Sequence, residues 1–195
     1  MKKCFYLFIV FLLTPSSNVM AQRFKAAAIL GVNASQIDGD SLYGFDKLGL
    51  TVGARLSYIN NTKFDLALEM LYSQRGASSS IFKSNDPKKI KLNFLEIPVI
   101  ISLRDWYIEK ESYYKVRAET GLSYSYLFGV NTPGFDATAL GKSDISWLIG
   151  AGINFTKRIG FSIRYTSSFL DIYKDKPDLI TFKSYFITFR SEYNF

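Results

Sequence analysis

The sequence contains no histidine and a single cysteine among its 195 residues. Without histidine, the chain lacks the commonest general base, the commonest metal ligand and the usual charge switch near neutral pH, which weakens most interpretations as a hydrolase or metalloenzyme. Long hydrophobic runs are also scarce, yet 48% of the residues are hydrophobic, 16% are aromatic and the mean hydropathy is +0.04. This composition excludes an intrinsically disordered chain, and the length suits one domain or at most two small ones.

The N-terminal segment is typical of a secretory signal peptide. Lys2 and Lys3 give a basic start, and Cys4–Leu13 is an unbroken apolar run of ten residues. Ten helical residues rise about 15 Å, which is roughly half the length needed to cross a bilayer. We therefore predict a signal peptide over residues 1–21, cleaved between Ala21 and Gln22, with an uncleaved anchor as the alternative.

Cleavage would leave a single mature domain over residues 22–195, because no linker or shift in composition divides that range. This domain has no cysteine, and hence neither disulfides nor thiol chemistry. It carries 22 basic and 17 acidic side chains, an excess too diffuse to indicate nucleic-acid binding.

Alternation of apolar and polar residues recurs along the whole mature chain and predicts an all-β fold. Residues 64–73 show it most clearly, with Phe64, Leu66 and Leu68 on one face and Asp65 and Glu69 on the other. The same pattern predicts eight strands: Phe24–Asn33, Leu48–Ile59, Phe64–Ser73, Ile90–Leu103, Tyr113–Phe128, Ser143–Thr156, Ile159–Thr166 and Phe182–Phe195.

Long and short connections alternate strictly between these strands. The connections over 34–47, 74–89, 129–142 and 167–181 are long, whereas those over 60–63, 104–112 and 157–158 are shorter. In an up-and-down meander, alternate connections lie at opposite ends of the sheet. The pattern, together with strands long enough to cross a bilayer when tilted, predicts an eight-stranded antiparallel transmembrane β-barrel with short periplasmic turns and long extracellular loops.

The polar face of the predicted strands combines small residues with a balanced set of charges. A soluble barrel would turn this face outward, whereas a narrow membrane barrel would turn it into the lumen, where each buried charge needs a partner. We favour the membrane barrel and expect five basic and five acidic side chains to form a structural ion-pair network in its lumen: Arg55, Asp65, Glu69, Glu96, Lys115, Arg117, Glu119, Arg164, Arg190 and Glu192.

The fourth strand departs from a single alternation. Leu92 and Phe94 have one parity and the apolar residues from Leu95 onward have the other. A bulge near Phe94-Leu95 would reconcile the two halves, and it would turn Glu96 and Pro98 inward.

Several short motifs resemble the PorT-like outer-membrane β-barrel family of Gram-negative bacteria, often labelled porin-like. They are the signal peptide ending at Ala21-Gln22, Gly31-Val32-Asn33, Leu95–Pro98 and a terminal aromatic residue. The resemblance implies a small eight-stranded barrel in the cell outer membrane, and one named member is associated with a protein-secretion machine. The chain end also resembles the signal read by the barrel-assembly machinery, with Tyr193 and Phe195 on the lipid face.

The sequence favours a non-catalytic barrel over an enzyme. Small barrel hydrolases rely on a serine assisted by histidine, and the serines at 78–80 lack a G-x-S-x-G elbow. We expect no catalytic, cofactor or metal site. The side-chain-filled lumen of eight strands favours a structural or interaction role. Passive transport of small solutes or ions, and an accessory part in secretion, are the alternatives.

The predicted partners follow from this placement. Outer-membrane lipid would surround the barrel, which we expect to be a monomer without nucleic-acid ligands. The connection over 74–89 is basic, because Lys83, Lys88, Lys89 and the adjacent Lys91 are opposed only by Asp86. It could meet lipopolysaccharide phosphates or a protein partner, with an ordinary solvated loop as the alternative.

Overall fold

A computed structural model describes residues 23–37, 47–60, 63–77, 90–131, 141–171 and 183–195. These residues form eight β-strands in chain order: β1 Phe24–Ile37, β2 Lys47–Ile59, β3 Phe64–Ala77, β4 Ile90–Ile108, β5 Tyr113–Asn131, β6 Ser143–Asn154, β7 Ile159–Asp171 and β8 Lys183–Asn194. Each corresponds to one predicted strand. Among the residues described, no helix has the length and apolar character needed to span a membrane.

The strands pair in sequence order and close into a barrel. Each pairs antiparallel with its neighbours, and β1 also pairs with β8, where Gly31 lies opposite Arg190. Closure leaves no unpaired sheet edge. The eight-stranded antiparallel up-and-down barrel expected from the alternation is confirmed.

The outer surface of the barrel is apolar and the lumen is mainly polar. Glu69 is 1% exposed, whereas its neighbour Met70 is 60% exposed, and Leu30, Leu122 and Ile149 face outward in the same way. Arginine, glutamate, serine and threonine side chains are buried inside. This is the reverse of a soluble barrel, and it suits a barrel surrounded by lipid.

The two ends of the barrel differ in their connections. At one end, four-residue connections over 60–63, 109–112 and 155–158 join the strands, and β1 begins and β8 ends there. We call this the turn end. At the opposite loop end, longer connections separate β1 from β2, β3 from β4, β5 from β6 and β7 from β8.

Several strands continue beyond their predicted ends. At the loop end β1, β3, β5 and β7 are three to five residues longer, and at the turn end β4 reaches Ile108 rather than Leu103. The predicted strands end where polar residues interrupt the alternation, as Arg104 and Asp105 do after Leu103 and as Ser167 and Ser168 do after Thr166. Backbone pairing does not require apolar side chains, so a strand continues where it leaves the lipid.

The fourth strand corrects one expectation. From Leu92 to Ile100, β4 keeps a single alternation in which Leu92, Phe94, Glu96 and Pro98 all face the lumen. Glu96 and Pro98 face inward as expected, and a pairing irregularity lies near Phe94 as expected. The change of phase within the strand is wrong, because Leu92 and Phe94 also pack inside. The pairing irregularity lies between β4 and β5, where Asn93 pairs with Gly129 and Phe94 with Leu127, so that Phe128 is the extra residue.

Candidate functional site: an ion-pair network in the lumen

Seven of the ten charged residues predicted for the lumen come together near its middle. We call this group the central network; it comprises Arg55 on β2, Glu69 on β3, Arg117 and Glu119 on β5, Arg164 on β7, and Arg190 and Glu192 on β8. Every side chain in it is at most 10% exposed. These residues occupy inward-facing positions on five strands, and they lie at the same level of the barrel.

Glu69 and Glu119 hold the centre of the network. Arg164 donates from Nη1 to Oε2 of Glu69 at 2.9 Å and from Nη2 to Oε1 of Glu119 at 2.8 Å. Arg190 repeats this bridge, with Nη1 2.9 Å from Glu69 Oε2 and Nη2 3.0 Å from Glu119 Oε1. Arg55 contacts the same two carboxylates at 3.3 and 3.0 Å. Each carboxylate therefore receives at least three guanidinium groups, which compensates for its loss of hydration.

Glu192 and Arg117 complete the network towards the turn end. Arg117 donates from Nη2 to Oε1 of Glu192, and Arg190 Nη2 lies 3.2 Å from that oxygen. Arg117 also approaches Glu119, with Nε 3.4 Å from Oε2. Four arginines thus face three glutamates, leaving one net positive charge.

Two glycines on β6 make room for these side chains. A Cβ at Gly150 would lie 3.2 Å from Glu119 Cγ and 2.8 Å from a backbone oxygen, and one at Gly152 would lie 3.1 Å from the Arg117 guanidinium. The absence of a side chain at Gly150 and Gly152 therefore allows close packing in a narrow lumen.

A second group of buried charges lies nearer the loop end. Arg75 Nη2 lies 2.6 Å from Oε2 of Glu96, and its Nη1 lies 3.2 Å from Oδ2 of Asp144. The Arg75 guanidinium also packs over the rings of Phe94 and Phe186, 4.7 and 4.2 Å from their centres. We call Arg75, Glu96 and Asp144 the loop-end cluster. Glu96 was predicted as a lumen residue, but it pairs in this cluster rather than in the central network.

Sequence reasoning missed Arg75 and Asp144. The alternation predicts that strand three ends at Ser73, and it gives Asp144 no role although this residue lies within a predicted strand. Arg75 shares the odd parity of Asp65 and Glu69, so extending the alternation by two residues would have revealed it.

Asp65 and Lys115 are placed apart from both groups. Asp65 pairs with Arg104, whose Nε lies 2.7 Å from its Oδ2. The Lys115 ammonium instead lies over the ring of Trp106, 4.4 Å from its centre. Trp106 has a left-handed backbone with φ of 59°, which interrupts the alternation at the end of this hairpin. The expectation that Lys115 joins a lumen network is corrected accordingly.

The remaining predicted positions lie at the chain ends and in one connection. Tyr193 and Phe195 are exposed, and their rings pack edge to face with centres 5.6 Å apart. Ala21 and Gln22, the predicted cleavage site, lie outside the described residues, as do the lysines at 83, 88 and 89.

The chemistry available to the buried charges is restricted by their pairing. The carboxylates of Glu69, Glu119 and Glu192 are all engaged by arginines. Within the described part of the chain, no group of three acidic or cysteine side chains is arranged to hold a metal ion. The arrangement fixes the strands to one another across the lumen.

Comparison with known proteins places this barrel in a family. A model described as "Outer membrane protein beta-barrel domain" matches residues 16–174. A comparison with curated protein sequences gave no match.

Three similar solved structures share low sequence identity with this chain. Neisserial surface protein A of Neisseria is 16% identical with a TM-score of 0.49, covering 88% of this chain and 97% of that chain. Ail of Yersinia pestis, in complex with the heparin analogue sucrose octasulfate, is 16% identical with a TM-score of 0.48, covering 88% and 99%. The N-terminal barrel domain of Pseudomonas aeruginosa OprF is 11% identical with a TM-score of 0.44, covering 87% and 97%. Because the family model matches most of its length, the chain belongs to the outer-membrane-protein β-barrel domain family.

Proposed function

We propose that this outer-membrane protein is a non-catalytic structural or interaction component whose barrel is closed to solutes. The observation that carries the proposal is the contact between Arg164 and Glu69, 2.9 Å from Nη1 to Oε2. Arg164 is on β7 and Glu69 is on β3, which lie four strands apart in a ring of eight and therefore on opposite sides of the barrel. Side chains that meet from opposite sides cross the whole lumen.

Further contacts support closure at more than one level. Arg55 and Arg190 reach Glu119 from strands three positions away on either side, and Arg75 reaches Asp144 across the same number of strands. Ala67, Ile100 and Leu148 form a fully buried apolar cluster inside the barrel. An eight-stranded barrel has an interior only just wide enough for side chains, so this filling leaves little space for an aqueous path.

Conductance of the purified, folded protein in a planar bilayer tests this proposal. We expect no steady conductance step from the wild-type chain, because the central network occupies the lumen. Insertion is verified independently by the shift in gel migration on boiling that folded membrane barrels show. A steady unit conductance in verified, folded protein would contradict the closed lumen and establish the alternative, passive transport of small solutes or ions.

The interaction role is assigned to the long connections at the loop end. A small barrel with a closed lumen can present these connections at the cell surface, where outer-membrane barrels place their long loops. Within the predicted basic connection over 74–89, residues 78–89 lie beyond the end of β3, and their contact with lipopolysaccharide phosphates or a protein partner belongs to this proposal. A PorT-like or porin-family affiliation and an accessory part in secretion belong to it as well. Replacing Lys83, Lys88 and Lys89 with glutamine should reduce lipopolysaccharide binding, and unchanged binding would contradict that assignment.

Export and assembly complete the proposal. We assign residues 1–21 to a signal peptide cleaved before Gln22, and Tyr193 and Phe195 to the signal recognised by the barrel-assembly machinery. The exposed outward placement of both rings supports recognition by an external factor. The intact mass of the mature protein tests the cleavage site, and a mass that retains residues 1–21 would contradict it.

A further inference from the structure

A cavity of about 340 Å³ lies at the turn end of the barrel, and the central network does not fill it. Residues of the turns, including Asn60, Ser112 and Lys157, line its outer part. Arg55, Arg117 and Glu192 of the central network form its inner boundary. The turn-end cavity is therefore a blind pocket that is reached from the side where short turns lie, the periplasmic side of an outer-membrane barrel.

The charges that line the turn-end cavity are unbalanced. Five basic side chains line it, namely Lys25, Arg55, Arg104, Arg117 and Lys157, against the two carboxylates Asp65 and Glu192. Both carboxylates are already paired, Asp65 with Arg104 and Glu192 with Arg117. The lining thus carries three net positive charges.

The same surplus remains when the deeper residues are included. The central network carries one net positive charge, the Asp65–Arg104 pair is neutral, and Lys25 and Lys157 add two more. Like charges gathered in a concave site raise the local concentration of anions, and a bound anion would relieve their repulsion.

The side of the turn-end cavity formed by the β4–β5 hairpin is held by specific contacts. Asn154 donates from Nδ2 to the Tyr114 carbonyl at 2.8 Å, and the Tyr113 hydroxyl donates to the Phe155 carbonyl at 3.1 Å. These bonds tie the hairpin to the turn between β6 and β7. The Arg104 guanidinium packs over the Tyr114 ring, 4.6 Å from its centre. The basic groups that line the cavity are therefore carried by the barrel and by a hairpin that these contacts hold in place.

We propose that the turn-end cavity binds a small anion from the periplasm that carries two or more negative charges on phosphate or carboxylate groups. Lys25 and Lys157, which are exposed, contact the ligand first, and the arginines at 104 and 117 offer planar guanidinium groups deeper inside. The volume suits a small ligand. This inference goes beyond the closed-barrel role, because anion binding and conductance are separate measurements and either can fail without the other.

Isothermal titration calorimetry on the folded full-length mature barrel, in a non-ionic detergent and a phosphate-free buffer, tests the proposal. Pyrophosphate and citrate serve as the phosphate and carboxylate probes. We expect saturable binding of one equivalent of at least one probe, with an affinity that falls as sodium chloride rises, and the tighter probe identifies the preferred group.

Matched variants locate the binding. In the double variant K25Q/K157Q we expect at least a tenfold weaker affinity, because both exposed ammonium groups of the cavity are lost. K110Q removes an exposed lysine from the 109–112 turn, outside the cavity lining, and should bind as the wild type does. The gel shift on boiling checks that each variant is folded, and the single variants K25Q and K157Q replace the double variant if it does not fold. Failure of both probes to saturate, an unchanged affinity in the lysine variants, or an equal loss in K110Q would overturn the proposal.

Discussion

The lumen and lipid faces of the same strands handle charge in opposite ways. On β3, Glu69 is almost fully buried in the lumen and meets three arginines, while the adjacent Met70 projects outward and is mostly exposed. A charge is tolerated in the lumen because partners reach it from other strands. On the lipid face, side chains point away from the other strands, so no strand can supply a partner for a charge and this face remains apolar. The difference shows that the barrel is specified by pairing inside and by apolarity outside.

Removing one charge from the lumen should have the largest effect on stability. In E69Q the three guanidinium groups of Arg55, Arg164 and Arg190 would lose a shared carboxylate while remaining buried. Breaking a buried ion pair in this way destabilises proteins by about 3–5 kcal/mol. Urea-induced unfolding in lipid vesicles measures the change in free energy of unfolding. E109Q, in the exposed 109–112 turn, is the matched control, and equal midpoints for the two variants would contradict the role of the central network.

Placing a charge on the lipid face should have the next largest effect. Ile149 faces outward from the middle of β6, and I149R would put an unpaired guanidinium in the hydrocarbon. Such a substitution at the bilayer midplane costs about 2–4 kcal/mol, falling to about 0–1 kcal/mol near the interfaces. F155R, in the 155–158 turn, is therefore the depth control in the same unfolding assay. Equal losses in both variants would show that the two positions do not differ in depth as we expect.

The alternation of side chains is what made the fold accessible from the sequence. A period of two assigns every second residue to one face, so the residues that share a face follow without knowledge of tertiary contacts. The alternation predicts that Arg55, Glu69 and Glu119 share the lumen face, and the structure brings them together. Alternation carries no information about which arginine meets which glutamate, because that depends on the register between strands.

The residues whose predicted placement is wrong lie where tertiary contacts override the local alternation. Leu92 and Phe94 are apolar yet face the lumen, where Phe94 packs against Arg75, so hydrophobicity alone assigned a false change of phase. Lys115 has lumen parity, but the left-handed backbone at Trp106 lies opposite it in the hairpin. The alternation of apolar and polar residues does not reveal an aromatic ring that packs on a buried cation. It does not reveal a single unusual φ value either.

The smallest effect should come from an ion pair that belongs to neither face. Lys63 donates from Nζ to Oδ1 of Asp105 at 2.9 Å at the turn end, where both side chains are mostly exposed to water. This hydrogen bond raises the pKa of Lys63 above its ordinary value, so the pair is charged at neutral pH. Any stabilisation from the pair is therefore present at neutral pH, and it is lost only when the pH rises through the raised pKa of Lys63. Exposed pairs are hydrated and screened, and holding two flexible side chains together opposes their attraction. K63Q should therefore unfold at the same urea concentration as the wild type at neutral pH. A loss of stability in K63Q close to that in E69Q would contradict the expectation that an exposed ion pair contributes much less than a buried one. It would leave the contrast between lumen and lipid faces untouched.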